Sequence, residues 1–263
     1  MKIATLGPEY SFSHLASMEA MPEAELIFYK RIEDVFREVA AGKVEQGIVP
    51  LENMLHGTVR ETLTSLKKYR VKINRSYNFP IHHCLAAQDE DYIKVASHPQ
   101  ALAQCSKFLR GKDTVEQTST SKAMELAAQD SSYAAVGAKE AAEHYGLKVL
   151  EEKIEDNHDN VTRFLLISNE EAEENGEART SLIIKPREDR SGLLFQILSP
   201  FAVQGINLTK IESLPSGRKL GEYLFYLEIS GNVNDRRVKG AIGFLETIME
   251  VYSFGSYKVV DLG

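Results

Sequence analysis

Short apolar runs and helical stripes alternate along the first 168 residues of the chain. Runs of four or five mostly apolar residues predict buried strands, and apolar residues spaced by three or four predict helices. The predicted strands cover residues 2–6, 46–50, 93–97, 114–118, 133–136 and 164–167. Helical stripes lie between them, as at Val35, Phe36 and Val39 before Gly42. This alternation predicts an α/β fold with a largely parallel sheet.

An extended stretch at residues 71–87 is interrupted by Pro80, which predicts a crossing into a second lobe. The strand at residues 164–167 predicts the return to the first lobe. The first lobe is therefore expected to contain about residues 1–75 and 160–168, and the second lobe about residues 76–159. Loops of the two lobes would then face each other across a binding cleft.

The pattern changes after residue 168. Residues 169–179 are rich in glutamate and poor in apolar residues, which predicts an acidic linker. Residues 180–263 then show strand and helix patterns in the order βαββαβ. This order predicts an antiparallel sheet with both helices on one side, a ferredoxin-like module.

Composition and charge limit the kinds of partner and of metal site that we expect. The formal net charge of −7 argues against nucleic acid or an anionic membrane as the main partner. We expect no leader peptide and no membrane span, and therefore a cytoplasmic protein. Cys84 and Cys105 stand apart and are expected to be reduced, structural thiols. His82 and His83 are adjacent on an expected strand, so they face opposite ways and cannot hold one metal together.

Four polar strings stand where strands are expected to end and helices to begin. They are GPEYSFS at residues 7–13, PLENMLHGTV at 50–59, STS at 119–121 and NVTRF at 160–164. Backbone N–H groups at the start of a helix attract anions, so these turns predict an anion-binding cleft. Thr58 and Glu61 match a capping box for the helix that follows the second string. The alternative is that the strings are ordinary turns whose polar residues cap their own backbone.

In this order and spacing, ahead of a ferredoxin-like module, the four strings resemble the prephenate dehydratase family with a C-terminal ACT domain. The resemblance implies a fold similar to periplasmic binding proteins, with two α/β lobes and the active site between them. It implies conversion of prephenate to phenylpyruvate with loss of carbon dioxide and the ring hydroxyl. No cofactor and no metal are implied.

The resemblance also implies roles for the matching residues. Thr162 would assist departure of the ring hydroxyl, and Arg163 and Phe164 would complete the catalytic string. The substrate site is expected to include Ser11, Ser13, Glu52, Asn53, Gly57, Thr58, Ser119, Thr120 and Asn160. A fixed cation and helix N–H groups suit the two carboxylates of prephenate.

Thr162 and Arg163 pose a geometric conflict. Neighbouring side chains of a regular strand face opposite sides, so both can line one cleft only if the strand begins near Phe164. Otherwise, Arg163 is a scaffold residue that pairs with an acid.

The strings GLLFQIL at residues 192–198 and NLTKIESLP at 207–215 resemble the phenylalanine-sensing strings of ACT domains. They imply an effector pocket between paired modules that is formed by Gly192, Leu193, Leu194, Asn207, Leu208, Glu212 and Ser213. A homodimer or homotetramer through the ACT domains is expected, because pairing covers sheet edges. Three residues depart from the family pattern: Tyr10 replaces a common glycine, Met54 a serine and Leu214 an arginine.

Three other functions remain open at this point. Arogenate dehydratase carries out the same elimination on the amino analogue, and the sequence hardly separates the two substrates. A catalytically silent phenylalanine-binding regulator is a second alternative, suggested by Tyr10 and Met54. A transport-type solute-binding protein shares the lobe architecture but carries no sensing module.

Overall fold

The computed structural model describes residues 1–172, 176–217, 219 and 221–263. The first lobe begins with β1 (Lys2–Leu6), α1 (Phe12–Ala20), β2 (Glu25–Tyr29), α2 (Ile32–Ala40), β3 (Gln46–Asn53), β4 (Gly57–Thr58), α3 (Arg60–Tyr69) and β5 (Lys72–Pro80). The second lobe contains β6 (Cys84–Ala87), β7 (Lys94–Ser97), α4 (Pro99–Gln104), β8 (Asp113–Glu116), α5 (Thr120–Gln129), β9 (Tyr133–Gly137), α6 (Lys139–His144) and β10 (Lys148–Glu151). The chain then returns to the first lobe as β11 (Val161–Ser168).

The first lobe is a mixed sheet with helices on both faces. Its strand order is β5-β11-β3-β1-β2, with β1 parallel to β2 and β3, and β11 antiparallel to β3 and β5. One face of the sheet packs against α2 and α3, and the other packs against α1. Gly47 permits the close approach of α2, because a Cβ there would lie 2.7 Å from Val35 Cγ1.

The second lobe is a separate five-stranded sheet in the order β10-β6-β9-β7-β8. Its β7 is parallel to β8 and β9, whereas β6 is antiparallel to β9 and β10. The sheets of both lobes are therefore mixed, more so than the predicted largely parallel arrangement. The crossing also comes later than the expected boundary near residue 75, since β5 stays in the first sheet until Pro80.

The C-terminal module has the predicted ferredoxin-like order. It contains β12 (Arg179–Lys185), α7 (Leu193–Val203), β13 (Leu208–Pro215), β14 (Tyr223–Ser230), α8 (Arg236–Ile248) and β15 (Glu250–Asp261). Its strands are arranged β13-β14-β12-β15, all antiparallel, and α7 and α8 pack on one face. The prediction of an α/β protein with a C-terminal ferredoxin-like module is confirmed.

The module is joined to the first lobe by strand pairing as well as by the linker. The far half of β15 pairs in parallel with β5, from Lys258 opposite Arg75 to Asp261 opposite Asn78. Over the described residues, the two sheets therefore form one sheet of ten strands. Within the predicted acidic linker, residues 173–175 lie outside the described residues, and Glu171 forms an ion pair with Lys72 at 3.1 Å.

The face of the module's sheet that carries no helix of its own is also buried. Leu214, Leu224 and Tyr226 share one apolar core with Leu63 and Leu66 of α3. Burial of such side chains stabilises each by about 1.5–3 kcal/mol relative to exposure, so this interface is a substantial part of the fold. Among the described residues, no helix combines the length and apolar character that crossing a bilayer requires.

Candidate active site

Thr162 and Asn53 lie side by side on neighbouring strands. In the antiparallel pairing of β3 and β11, Asn53 is opposite Thr162 and Glu52 is opposite Arg163. The Asn53 Nδ2 group donates a hydrogen bond to Thr162 Oγ1 at 3.0 Å. Because the threonine oxygen accepts this bond, its own proton remains free for donation to another group.

The orientation of the Asn53 amide is fixed from its other end. Its Oδ1 accepts hydrogen bonds from the backbone N–H groups of Leu55 and His56, both at 3.1 Å. These donors belong to the turn between β3 and β4, where Gly57 has a left-handed φ of 76°. The turn therefore presents the Nδ2 group, rather than the oxygen, to Thr162.

Asn160 adds a second amide beside this pair. Its side chain is 1% exposed, and its Oδ1 accepts from Asn53 Nδ2 at 2.9 Å. Its own Nδ2 has no hydrogen-bond partner among the described residues. A buried amide donor left unpaired is costly, so this Nδ2 group is a candidate for a ligand oxygen.

Two helix N-termini meet where the lobes face each other. Ser11 caps α1 by accepting from the His14 N–H, and Ser119 caps α5 by accepting from the Lys122 N–H at 3.0 Å. Ser121, in the first turn of α5, donates to the backbone oxygen of Glu9 at 2.6 Å. Helix N-termini carry partial positive charge, so their convergence favours an anionic ligand.

Ser13 and Thr120 lie in the first turns of the same two helices, as the sequence predicts. Tyr10 precedes α1 with a φ of 58°, a left-handed conformation that glycine adopts freely and tyrosine does not. This explains why glycine is common at this position. The tyrosine ring is held by stacking on His144 of the second lobe, with 3.9 Å between centroids.

His56 is a bridging residue that sequence reasoning missed. From the turn after Asn53, its Nδ1 lies 3.1 Å from Gln100 Nε2 and 3.3 Å from Gln104 Nε2 of α4. The same Nδ1 is 3.1 Å from Asn53 Oδ1. His56 thus connects the two lobes beside the Asn53–Thr162 pair. Its place in PLENMLHGTV, between Asn53 and the turn glycine, was the available signal.

Arg163 does not line the cleft, and the expectation that it anchors substrate there is corrected. Both Thr162 and Arg163 belong to β11, so their side chains face opposite sides of the sheet. The buried guanidinium donates from Nη2 to Glu228 Oε1 at 2.8 Å and lies 2.8 Å from Glu52 Oε1. Arg163 is therefore a scaffold residue that pairs with acids, which is the second of the two possibilities that strand geometry left open.

The neighbours of Arg163 keep its guanidinium protonated and positively charged. Burial alone would lower its pKa, but Glu228, Tyr257 and Glu52 raise the pKa above its usual value. Burial, together with Glu228, also raises the pKa values of Tyr226 and Tyr257, which remain neutral hydroxyl groups. Breaking such a buried ion pair by removing one partner typically costs about 3–5 kcal/mol.

Glu52 and Thr58 also face away from the cleft, contrary to their expected substrate contacts. Glu52 forms an ion pair with Lys210 of β13, and Thr58 donates to Glu212 of the same strand. The first residue of α3 follows Val59, so Thr58 and Glu61 do not form the predicted capping box. Phe164 is likewise a core residue, 1% exposed and packed edge-on against Phe79.

The predicted effector residues occupy both ends of β13. Gly192, Leu193 and Leu194 begin α7, near the Ser213 end of the strand, whereas Asn207 and Leu208 stand at its start. The two ends are roughly 20 Å apart at about 3.3 Å per residue. Glu212 turns towards Thr58, so its carboxylate faces the first lobe. Leu214, where the family commonly has arginine, is buried in the shared core.

His83 and the two cysteines are buried in the scaffold, whereas the neighbouring His82 is partly exposed. His82 contacts Glu155 at 2.8 Å, while His83 turns to Gln104 at 2.9 Å and is 2% exposed. Both histidines line a cavity of about 250 Å³ at the hinge, and Thr162 is not among its lining residues. Cys84 and Cys105 are free thiols whose pKa values are raised to about 12 by burial.

Two α/β lobes facing a polar cleft, with a ferredoxin-like module sharing the same sheet, define a two-lobed cleft protein with an appended ferredoxin-like module. The family model for prephenate dehydratase matches residues 3–172, and the ACT domain model matches residues 182–246. The chain belongs to the prephenate dehydratase family.

Individual relatives agree with this assignment. The prephenate dehydratase of Methanocaldococcus jannaschii is 41% identical over 209 residues, covering 76% of both chains. The bifunctional chorismate mutase/prephenate dehydratase of Aquifex aeolicus is 38% identical over 98% of this chain and 73% of its own length. The crystal structure of prephenate dehydratase from Arthrobacter aurescens in complex with L-Phe is 32% identical, with a TM-score of 0.90 over 98% of this chain and 90% of that one. Plant arogenate dehydratases are also relatives, as in Petunia hybrida at 32% identity over 98% of this chain and 71% of that protein.

We predict that His83 makes the fold less stable in mild acid. Burial lowers its pKa below 6.5 in the folded protein, so the unfolded chain takes up a proton first as the pH falls. The free energy of unfolding should therefore decrease as the pH falls below about 6.5, because only the unfolded chain then gains the proton readily.

Urea unfolding of the wild type and of His83→Gln between about pH 5.5 and about pH 8.5 measures this contribution. The difference between the two proteins should be constant above about pH 7.5 and shrink or reverse in acid. Parallel curves over the whole range would contradict a neutral His83 in the fold.

Proposed function

We propose that this chain dehydrates and decarboxylates prephenate in the cleft, with Thr162 as the hydrogen-bond donor to the departing ring hydroxyl. The observation that carries the proposal is the hydrogen bond from Asn53 Nδ2 to Thr162 Oγ1, which leaves the threonine proton available. Asn53 also fixes the direction in which the Thr162 hydroxyl can donate its proton, since the Asn53 amide occupies one side of the Thr162 oxygen.

The chemistry requires little more than orientation and charge stabilisation. As the carbon–carbon bond to the ring carboxylate breaks, its electron pair enters the ring and the carbon–oxygen bond to the hydroxyl breaks. The departing oxygen gains negative charge in the transition state and must be hydrogen-bonded or protonated. Aromatisation of the ring supplies most of the driving force.

The two carboxylates of prephenate need anchors other than Arg163. The N-terminal turns of α1 and α5, around Ser11 and Ser119, supply N–H groups to an anion. The unpaired Asn160 Nδ2 supplies a further donor close to Thr162. These donors are held by strands and helices, so the substrate would be oriented without large rearrangement of the site.

Arogenate is a second candidate substrate, because arogenate dehydratases are among the relatives. The two substrates differ only where an amine replaces a ketone, far from the departing hydroxyl. We expect prephenate to give the larger kcat/KM, in line with the relatives of higher identity. Measuring kcat/KM for both substrates on one enzyme preparation decides between them, and a larger value for arogenate would reverse the assignment.

Thr162→Ala is expected to lower kcat by about 10²–10³, because an oriented donor to developing negative charge is lost. Thr162→Ser should retain far more activity, since it keeps the hydroxyl and loses only the branched rotamer restriction. Formation of phenylpyruvate from prephenate is the assay. The exposed Thr64→Ala is a matched control that should leave turnover unchanged.

Equal losses in Thr162→Ala and Thr162→Ser would contradict the donor role. A wild-type chain that binds phenylalanine yet forms no phenylpyruvate from prephenate would instead identify the silent regulator.

We also propose feedback by L-phenylalanine at the interface of paired ACT domains. β13 is an edge strand of the sheet, with the apolar Ile211 exposed on it and Tyr223 exposed beside it. Two-fold pairing of such an edge would bring the Asn207 end of one chain beside the Gly192 and Ser213 end of its partner. This would unite the two groups of effector residues that one chain keeps apart.

Sedimentation is therefore expected to show an assembly of two or four chains, since pairing covers the open edge of the sheet. Phenylalanine should strengthen this assembly because its pocket would be completed by two chains. A monomer at all concentrations, with and without phenylalanine, would refute the paired arrangement.

A further inference from the structure

A cluster of buried charges joins the regulatory module to the back of the active-site strands. Glu228 of β14 is fully buried, and both of its carboxylate oxygens lie 2.8 Å from the Arg163 guanidinium. The neighbouring Glu52 contacts both Arg163 and Lys210 of β13. The centre of the cluster is therefore formed by two charges from the first lobe and two from the module, and Arg179 lies 3.9 Å from Glu228 at its edge.

The members of this cluster are immediate neighbours of the cleft pair. Arg163 follows Thr162 on β11, and Glu52 precedes Asn53 on β3. Since adjacent residues of a strand share one rigid backbone, a displacement of Arg163 or Glu52 moves Thr162 or Asn53 with it. Misplacement by about 1 Å can cost about 10² in rate when a donor must meet a departing group.

The cluster is too heavily buried to act as a loose surface contact. A carboxylate without exposure needs its cation, and Glu228 has Arg163 together with a hydrogen bond from the Tyr226 hydroxyl at 2.8 Å. The Arg163 Nε has no hydrogen-bond partner among the described residues, so its position depends on the carboxylates. Any shift of β13 or β14 must therefore either carry Arg163 and Glu52 along or break the ion pairs.

We propose that the regulatory module acts on the cleft through this charge cluster, with Arg163 and Glu52 as positioning residues for Thr162 and Asn53. The inference rests on the proposed function, because it gives the route by which phenylalanine bound at the module would change turnover. β13 carries Lys210 towards the first lobe and ends among the proposed effector residues. Effector binding along this strand would thus displace Glu52 and, with it, the adjacent Asn53.

Lys210→Met, Lys210→Arg and Glu228→Gln test the route. In Lys210→Met the chain loses the charge that holds Glu52, while Lys210→Arg keeps it. Phenylalanine inhibition of phenylpyruvate formation is measured beside phenylalanine binding by calorimetry. At saturating phenylalanine, Lys210→Met and Glu228→Gln should keep on the order of tenfold more activity than the inhibited wild type, with phenylalanine binding changed by less than about threefold.

Two controls separate coupling from a general effect on stability. Lys210→Arg should restore inhibition to the wild-type extent. Lys185→Gln removes an ion pair with Glu250 inside the same module and should also be inhibited like the wild type. Glu228→Gln has the greater risk of not folding, because Glu228 is fully buried. If it does not fold, Lys210→Met decides the question, since Lys210 keeps some exposure.

Inhibition of Lys210→Met to the wild-type extent at saturating phenylalanine would overturn the inference. Loss of phenylalanine binding by Lys210→Met would overturn it as well, because the lysine would then act at the effector pocket. A wild-type enzyme that is active but insensitive to phenylalanine would instead refute the regulatory part of the proposed function. The failure of the inference and the failure of that function are therefore distinguishable.

Discussion

The alternation of side chains along β3 and β11 is the constraint on which the rest of the structure depends. One cross-strand pair, Asn53 and Thr162, faces the space between the lobes, and the next pair, Glu52 and Arg163, faces the ACT domain. A shift of register by one residue would exchange the two pairs and place a buried cation in the cleft. The proposed substrate site and the domain interface thus lie on opposite faces of the same two strands.

This arrangement explains why charged residues are buried between the first lobe and the ACT domain. The ACT domain lies over α3 and the back of β3 and β11, and without Arg163 its buried Glu228 would lose the cation that lies 2.8 Å away and keep only Arg179 at 3.9 Å. In turn, Arg163 requires a counter-charge on this face because apolar residues such as Leu165 surround it in the strand. The parallel pairing of β15 with β5 keeps the module in position over these groups.

Local patterns were sufficient to predict much of the fold. The apolar run after NVTRF indicated β11, and the βαββαβ order indicated the ferredoxin-like module. The strings that contain Ser11 and Ser119 stood where helices were expected to begin, and both residues cap helices. The strand ELIFY at β2 was equally apolar and was missed. Strand alternation had also indicated that Thr162 and Arg163 could not both face the cleft unless β11 began late.

Contacts between distant segments could not be predicted from these patterns. Glu52 and Lys210 are separated by 158 residues, and nothing in either string indicates that they meet. The same holds for Thr58 with Glu212, and for Leu214, whose burial depends on α3. Tyr10 is different, because its departure from glycine was visible in the sequence but its stacking on His144 required the two lobes to be in place. Sequence patterns indicate which face of a strand a residue occupies. What covers that face depends on how the lobes and the ACT domain pack against each other.

The most direct test of this account is a crystal structure with a dianionic, unreactive analogue of prephenate bound. The account predicts the Thr162 hydroxyl within about 3 Å of the analogue oxygen that stands for the departing hydroxyl. It also predicts that Arg163 remains paired with Glu228 on the opposite face of the sheet. An analogue carboxylate held by the Arg163 guanidinium, with Thr162 out of reach, would contradict it.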